Sequence, residues 1–94
     1  MKLNEAKQKI ETALGLNPNS YEVKLIERNF QGISKYIATF GVVSKHGLID
    51  DDVIENIVSM IEEGNDKISI NKTQVNMKDF DFDILLIDAE INLR

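Results

Sequence analysis

The last sixteen residues of the chain, 79–94, begin with acidic and apolar residues alternating at a period of two. This period is typical of a β-strand with one buried face. The apolar positions then change face, because Phe82 and Ile84 share one side whereas Leu85 and Ile87 lie on the other. The pattern predicts a strand that either carries a bulge or is covered on both sides. Covering both sides requires a helical layer and a second layer, for which a second copy of the chain is one candidate.

Two other segments have apolar residues at the three- and four-residue spacing of an amphipathic helix. The first covers about 3–14 and stops before Gly15, a residue suited to the left-handed position that follows a helix. The second covers 50–63 and begins with three consecutive aspartates, which favour the positive end of a helix dipole. We expect a helix over each segment.

The segment between these helices is open to two interpretations. Six apolar residues lie at helical spacing: Val23, Ile26, Phe30, Ile33, Ile37 and Phe40. This stripe favours one long helix over 20–46. Strand-forming residues and two glycines within the segment favour instead a hairpin over 21–43. Because the helical stripe is complete whereas the strand alternation fails at Ile26, the sequence favours the helix.

From residue 67 onward the period is two, which predicts a C-terminal antiparallel hairpin or three-stranded sheet over 67–93. The expected fold class is therefore α+β, with three N-terminal helices over about 3–14, 20–46 and 50–63 followed by this sheet. The alternative order is α-β-β-α-β-β, with 21–43 as a hairpin. At 94 residues, the whole chain, 1–94, is expected to form a single small globular domain.

The composition of the chain bears on its cellular location. The chain has no cysteine, its first residues lack the pattern of a signal peptide, and no apolar run approaches the roughly 20 residues of a membrane helix. We therefore expect a cytoplasmic protein without a membrane partner. Thirteen isoleucines and nine asparagines suggest an A/T-rich genome, of a bacterium, a phage or another mobile element.

Charge is divided unevenly along the sequence. Residues 1–46 hold seven Lys or Arg and four Glu, a net +3, whereas residues 47–94 hold four Lys or Arg and twelve Asp or Glu, a net −8. Two halves of opposite sign attract each other within one fold or across a dimer, and an acidic half also suits a basic partner. The sequence pI of about 4.7 argues against direct nucleic-acid binding, although Lys24, Arg28 and Lys35 lie along one surface of the predicted middle helix.

The acidic residues at the start of the last strand have the spacing of a calcium-binding loop. Asp79, Asp81, Asp83 and Glu90 occupy positions 1, 3, 5 and 12 of a twelve-residue window. The sixth position of such a loop requires glycine, and this chain has Ile84 there. We therefore predict an ordinary strand and no metal site, and the lone His46 is expected to be structural.

No sequence motif indicates a catalytic centre or a cofactor, so we predict a non-enzyme. The function that we expect is that of an adaptor or inhibitor that binds another protein through its acidic C-terminal half. The candidate partner-binding residues are Asp79, Asp81 and Asp83, with Asp50, Asp51 and Asp52 as a second patch. One alternative is a homo-oligomeric assembly protein, in the simplest case a homodimer, that pairs through its C-terminal strand. Another is an acidic mimic of nucleic acid that blocks a DNA-binding protein.

Overall fold

The computed structural model describes residues 1–15, 20–44, 49–62, 67–76, 78–79 and 81–93. Within these residues the elements follow the order α1 (Leu3–Ala13), β1 (Tyr21–Phe30), β2 (Lys35–Ser44), α2 (Asp51–Glu62), β3 (Ile68–Asn76) and β4 (Asp81–Asn92). The prediction of three N-terminal helices followed by a sheet is wrong, because this part of the chain forms two helices and one four-stranded antiparallel sheet. The element order is instead that of the alternative.

The segment predicted as a helix over 20–46 contains a β-hairpin formed by β1 and β2. Strand β2 holds the densest run of strand-forming residues in the segment, and its alternate residues are buried. Gly32, in the turn between the strands, has a φ of 138°, a conformation that residues with a Cβ rarely adopt. The glycine that weakens a helix at this position thus permits the hairpin turn.

The helical stripe arises from a β-bulge followed by a turn. Strand β1 is out of register between Leu25 and Glu27, where Ile26 is the extra residue. The alternation therefore fails at Ile26 because of the bulge and not because the segment is helical. Ile26, Phe30 and Ile33 are 59%, 58% and 85% exposed, so half of the residues of the stripe are exposed to solvent.

Strand β4 lies in the interior of the sheet, whose strand order is β1-β2-β4-β3. It pairs with β2 over residues 84–92 and with β3 over residues 81–89, and neither register is interrupted. The change of apolar face within β4 is therefore not a bulge. Because both backbone edges of residues 84–89 are already paired, a homodimer cannot form by pairing a second strand with that part of the C-terminal strand.

The core lies between the two helices and one face of the sheet. Residues with less than 9% exposure form one apolar cluster: Ala6, Ile10, Leu14, Tyr36, Ala38, Phe40, Val42, Ile49, Ile57, Ile61, Leu85, Ile87, Ala89 and Ile91. In β2 these are the even-numbered residues and in β4 the odd-numbered ones, as expected when alternate side chains point to one face. Burial of each large aliphatic or aromatic side chain contributes about 1.5–3 kcal/mol.

Both helices lie close to their predicted positions. Helix α1 is followed by Gly15 with a φ of 87°, and the Gly15 N–H donates a hydrogen bond of 3.0 Å to the Thr12 carbonyl. Helix α2 has Asp51 and Asp52 in its first turn, and the backbone N–H of Val53 donates a hydrogen bond of 3.1 Å to the Asp50 carbonyl. The predicted structural role of His46 lies outside the described residues.

The molecule is elongated, with extents of 45 × 22 × 19 Å. Helices α1 and α2 have 11 and 12 residues. No helix in the described ranges is long and apolar enough to cross a membrane.

Candidate interaction surface

Helices α1 and α2 pack on one face of the sheet. We call the opposite face, on which neither of these helices packs, the open face. Along each strand, every second residue points to the open face. The register assigns to it Glu22, Lys24, Glu27 and Asn29 from β1; Lys35, Ile37, Thr39, Gly41 and Val43 from β2; Phe82, Ile84, Leu86, Asp88 and Glu90 from β4; and Ser69, Asn71, Thr73 and Val75 from β3. No element among the described residues packs on this face.

The part of the open face near the start of β4 is apolar. Val43, Ile84, Phe82 and Val75 are half-buried there, and Leu86 is 38% exposed. Val43 pairs with Ile84, and Val75 pairs with Phe82, so these side chains are neighbours across adjacent strands. A sheet face that only meets water usually carries polar residues at such positions, because antiparallel sheets alternate apolar and polar sides.

The bulge in β1 adds one more apolar side chain to this face. A Cβ added at Gly41 would overlap the side chain of Ile26, which shows that Ile26 lies over Gly41. Gly41 points to the open face and is paired with Leu86. The absence of a side chain at Gly41 therefore makes room for Ile26, and Ile26 and Leu86 form one continuous apolar area.

The other part of the open face is mostly polar, with Ile37 as an apolar residue beside Glu90, and much of its charge is paired within the chain. The Thr39 hydroxyl donates to the Asp88 carboxylate at 2.5 Å. Lys35 and Glu90 form an ion pair of 3.6 Å. The open face thus presents no large area of a single sign.

One more ion pair lies on the β1 side of the open face. The Nζ of Lys24 lies 2.9 Å from the carboxylate of Glu22. The hydrogen bond from Lys24 to Glu22 and the negative charge of Glu22 raise the pKa of Lys24 above its ordinary value. Lys24 is therefore charged at neutral pH, and its charge is lost as the pH rises through that raised pKa.

Asp83, one of the predicted partner-binding residues, is buried. It is 3% exposed, and its Oδ2 accepts a hydrogen bond of 2.7 Å from the backbone N–H of Ile49. This bond joins β4 to the segment just before α2. The Asp83 carboxylate therefore supports the fold and does not belong to an exposed surface.

The remaining predicted partner-binding residues are exposed at one end of the molecule, which we call the acidic end. It consists of Asp50, Asp51, Asp52, Asp79 and Asp81. The fold brings the two predicted patches together, because the buried Asp83 contacts Ile49, next to Asp50 in the chain.

An open cleft of about 350 Å³ lies at the acidic end, lined by Ile49, Asp50, Asp51, Lys72, Gln74 and Asp83. The Nζ of Lys72 lies 3.2 Å from Oδ1 of Asp51 across this cleft. The Asp51 side chain of the cleft is therefore paired with the ammonium group of Lys72. The sequence pattern gave no indication of Lys72 or Gln74, because only the register of β3 against β4 places them beside Asp83.

The acidic residues with calcium-loop spacing do not surround a common point. Asp81, Asp83 and Glu90 lie along the single strand β4, where Glu90 points to the open face and Asp83 to the helices. Seven residues of strand separate Asp83 from Glu90 by about 23 Å. Among the described residues, no group of three or more His, Cys, Asp or Glu side chains is arranged to hold a metal ion.

The basic residues of the predicted middle helix do not share a surface. Lys24 and Lys35 belong to the open face, whereas Arg28 pairs with Ala38 and points to the opposite side of the sheet. The fold thus divides the basic residues that the helical prediction had placed on one surface.

The sequence found part of the open face and missed the rest. The change of phase in the last strand placed Phe82 and Ile84 together on this side. Ile26 and Val75 were missed, since they join this face through a bulge and through strand register. The sequence signal that could have revealed Ile26 was the failure of the strand alternation at this residue, which marks the bulge.

In comparisons with known proteins, no protein-family model, no curated protein and no solved structure matches this chain.

Proposed function

We propose that this protein is a non-catalytic interaction protein, and that its contact surface is the open face of the sheet. The observation that carries the proposal is the apolar area formed by Ile26, Val43, Phe82, Ile84 and Leu86 on that face. An apolar area rimmed by polar residues is a common feature of protein-protein contact sites. The C-terminal strand remains the main contributor, through its apolar residues instead of its acidic ones.

A cytoplasmic location is part of the same proposal. It rests on the absence of cysteine from the sequence, which is common among proteins of reducing compartments.

The absence of cysteine also permits a direct test, because a single introduced cysteine is then the only thiol in the chain. Leu86→Cys places a thiol in the apolar area of the open face, and Gln8→Cys places one on the exposed side of α1. Each variant is labelled with a membrane-permeant maleimide, first in the cells that produce it and then as dilute purified protein.

We expect Leu86→Cys to react several-fold more slowly in cells than in dilute solution, because a bound partner shields the open face. The rate of Gln8→Cys in each setting is the reference, because entry into cells and reaction with cellular thiols slow the labelling of both variants alike. A ratio of the Leu86→Cys rate to the Gln8→Cys rate that is equal in cells and in dilute solution would refute the proposal. Thermal unfolding of both variants shows that the comparison is made between folded proteins.

A second candidate function is binding of a basic protein through the acidic end. The observation that favours it is that the fold collects Asp50, Asp51, Asp52, Asp79 and Asp81, which lie in two separate parts of the sequence, at one end of the molecule. The same surface would serve a mimic of nucleic acid, although the burial of Asp83 and the pairing of Asp51 with Lys72 reduce its free charge.

The labelling experiment separates the two candidates. Asp52→Cys places the thiol at the acidic end, at an exposed position in the first turn of α2. Slow labelling of Asp52→Cys in cells, together with fast labelling of Leu86→Cys, would favour the acidic end over the open face.

A further inference from the structure

We infer that the partner on the open face is a second copy of this chain, which packs face to face so that the two sheets form the centre of a four-layer dimer. This inference rests on the proposed function, and it adds the identity of the partner. In the arrangement that we propose, the twofold axis lies parallel to the strands and passes between β2 and β4.

The size of the open face suits a small dimer interface. Strands β2 and β4 pair over nine rows, 35–43 with 84–92, and four strands lie side by side. At about 3.3 Å per residue and about 4.8 Å between strands, this face measures roughly 30 by 19 Å, or roughly 550 Å² per copy. Two copies would bury roughly 1,100 Å², which lies just above the lower limit of about 1,000 Å² for a specific interface. We therefore expect a weak dimer.

The distribution of apolar residues determines the direction of the axis. On the two middle strands, the apolar area occupies the part of the open face near the start of β4, whereas Thr39, Asp88 and Glu90 lie in the other part. A twofold axis perpendicular to the strands would place the apolar part of one copy against the polar part of the other. An axis parallel to the strands places apolar on apolar, so that Ile84 and Leu86 of each copy pack on the same region of the other.

Charges on the open face are compatible with this arrangement. The face carries four acids (Glu22, Glu27, Asp88 and Glu90) and two bases (Lys24 and Lys35), and Lys67 lies opposite Glu90 at the start of β3. With four acids against three bases, the face is close to neutral. A basic or an acidic partner would gain little from such a surface, and an identical copy would meet little repulsion.

The same axis creates a complementary pair of edges. It places β1 of one copy over β3 of the other. Glu27 of one copy then lies across from Ser69 and near Lys67 of the other, because Glu27, Thr39, Asp88 and Ser69 form one row of the sheet. An acid thus lies near a base of the partner on both sides of the dimer.

The oligomeric state of the purified protein tests the inference. We expect sedimentation velocity between about 10 µM and about 1 mM, a range that covers weak association, to show a shift from the mass of one chain toward that of two. Leu86→Lys should raise the dissociation constant at least about tenfold, since it places a charge in the centre of a buried contact. Ile33→Lys, which makes the same kind of change at an exposed residue of the hairpin turn, should leave association unchanged.

Three results would overturn the inference: a wild-type protein that stays monomeric at the highest concentration, a Leu86→Lys variant that associates like the wild type, or an Ile33→Lys variant that weakens association as much as Leu86→Lys. Far-UV circular dichroism of both variants verifies that they are folded. A monomeric purified protein whose Leu86→Cys variant is nevertheless shielded in cells would refute the second copy and leave the proposed function standing with a different partner.

A cross-linking experiment tests the orientation. Glu27→Cys and Ser69→Cys are prepared separately and treated with a short bis-maleimide, whose span matches the roughly 10 Å between packed sheets. We expect cross-linked dimers when the two variants are mixed and few when either is treated alone, because residues on the same strand lie on opposite sides of the dimer. Equal cross-linking of Glu27→Cys alone would refute this axis.

Discussion

At the scale of single residues, Asp83 joins two parts of the chain through one hydrogen bond. Its carboxylate is buried and accepts the backbone N–H of Ile49 at 2.7 Å. A buried N–H that loses its acceptor bears the full penalty of its lost hydration. Asp81, two residues earlier in the strand, is exposed and has the same charge. Substitution of Asp83 tests the buried hydrogen bond, and the same substitution at Asp81 is the control for loss of the charge alone.

We predict that Asp83→Ala lowers the free energy of unfolding by about 1–3 kcal/mol, the cost of an unsatisfied buried donor. Asp81→Ala should change it by less than about 0.5 kcal/mol, as is usual for exposed positions. Urea denaturation measures both. Amide hydrogen exchange of Ile49 provides a local readout, which should accelerate in Asp83→Ala and stay unchanged in Asp81→Ala. A loss of stability that is equal in the two variants would contradict the assigned contact.

At the scale of elements, the hairpin of β1 and β2 replaces the predicted helix. Ile33 and Phe40 both belong to the helical stripe, and a helix would place them on the same buried side. In the hairpin, Ile33 is 85% exposed in the turn whereas Phe40 is 1% exposed in the core. Substitutions at these two positions therefore distinguish the two structures.

We predict that Phe40→Ala costs about 3–5 kcal/mol, because it leaves a cavity in the core. Ile33→Lys should change stability by less than about 0.5 kcal/mol, as for other exposed positions. Urea denaturation followed by circular dichroism measures both. If Ile33→Lys were as destabilising as Phe40→Ala, the turn would be wrongly placed. A domain of this size has a free energy of unfolding of about 5–14 kcal/mol. If the wild type lies near the upper end of this range, Phe40→Ala remains folded. If it lies near the lower end, Phe40→Ala is largely unfolded in the absence of urea.

At the scale of the whole molecule, the acidic end concentrates like charges. Asp50, Asp52, Asp79 and Asp81 are exposed there, and the chain carries a net charge of −5. Repulsion among exposed charges of one sign destabilises the folded state and is screened by salt.

We predict that raising NaCl from about 0.05 M to about 0.5 M, which shortens the screening length severalfold, increases the Tm. The double variant Asp79→Asn and Asp81→Asn, which leaves the aspartates of the first turn of α2 in place, should have a higher Tm than the wild type at low salt and a smaller increase with salt. Differential scanning calorimetry measures both quantities. An identical salt response in the two proteins would show that repulsion at this end does not limit stability.

The sequence by itself determined the two outer helices, the strand character of the C-terminus and the presence of apolar residues on both faces of the last strand. These features depend on local periodicity and on local signals such as Gly15 and the aspartates before α2. Only the tertiary structure decided that 21–43 forms a hairpin, because a bulge at Ile26 produces helical spacing in a strand. It also decided which acids are exposed, since Asp83 is buried by a contact with Ile49, 34 residues away. Strand order and register are long-range properties, and they assembled the open face from residues that the periodicity of any single segment could not connect.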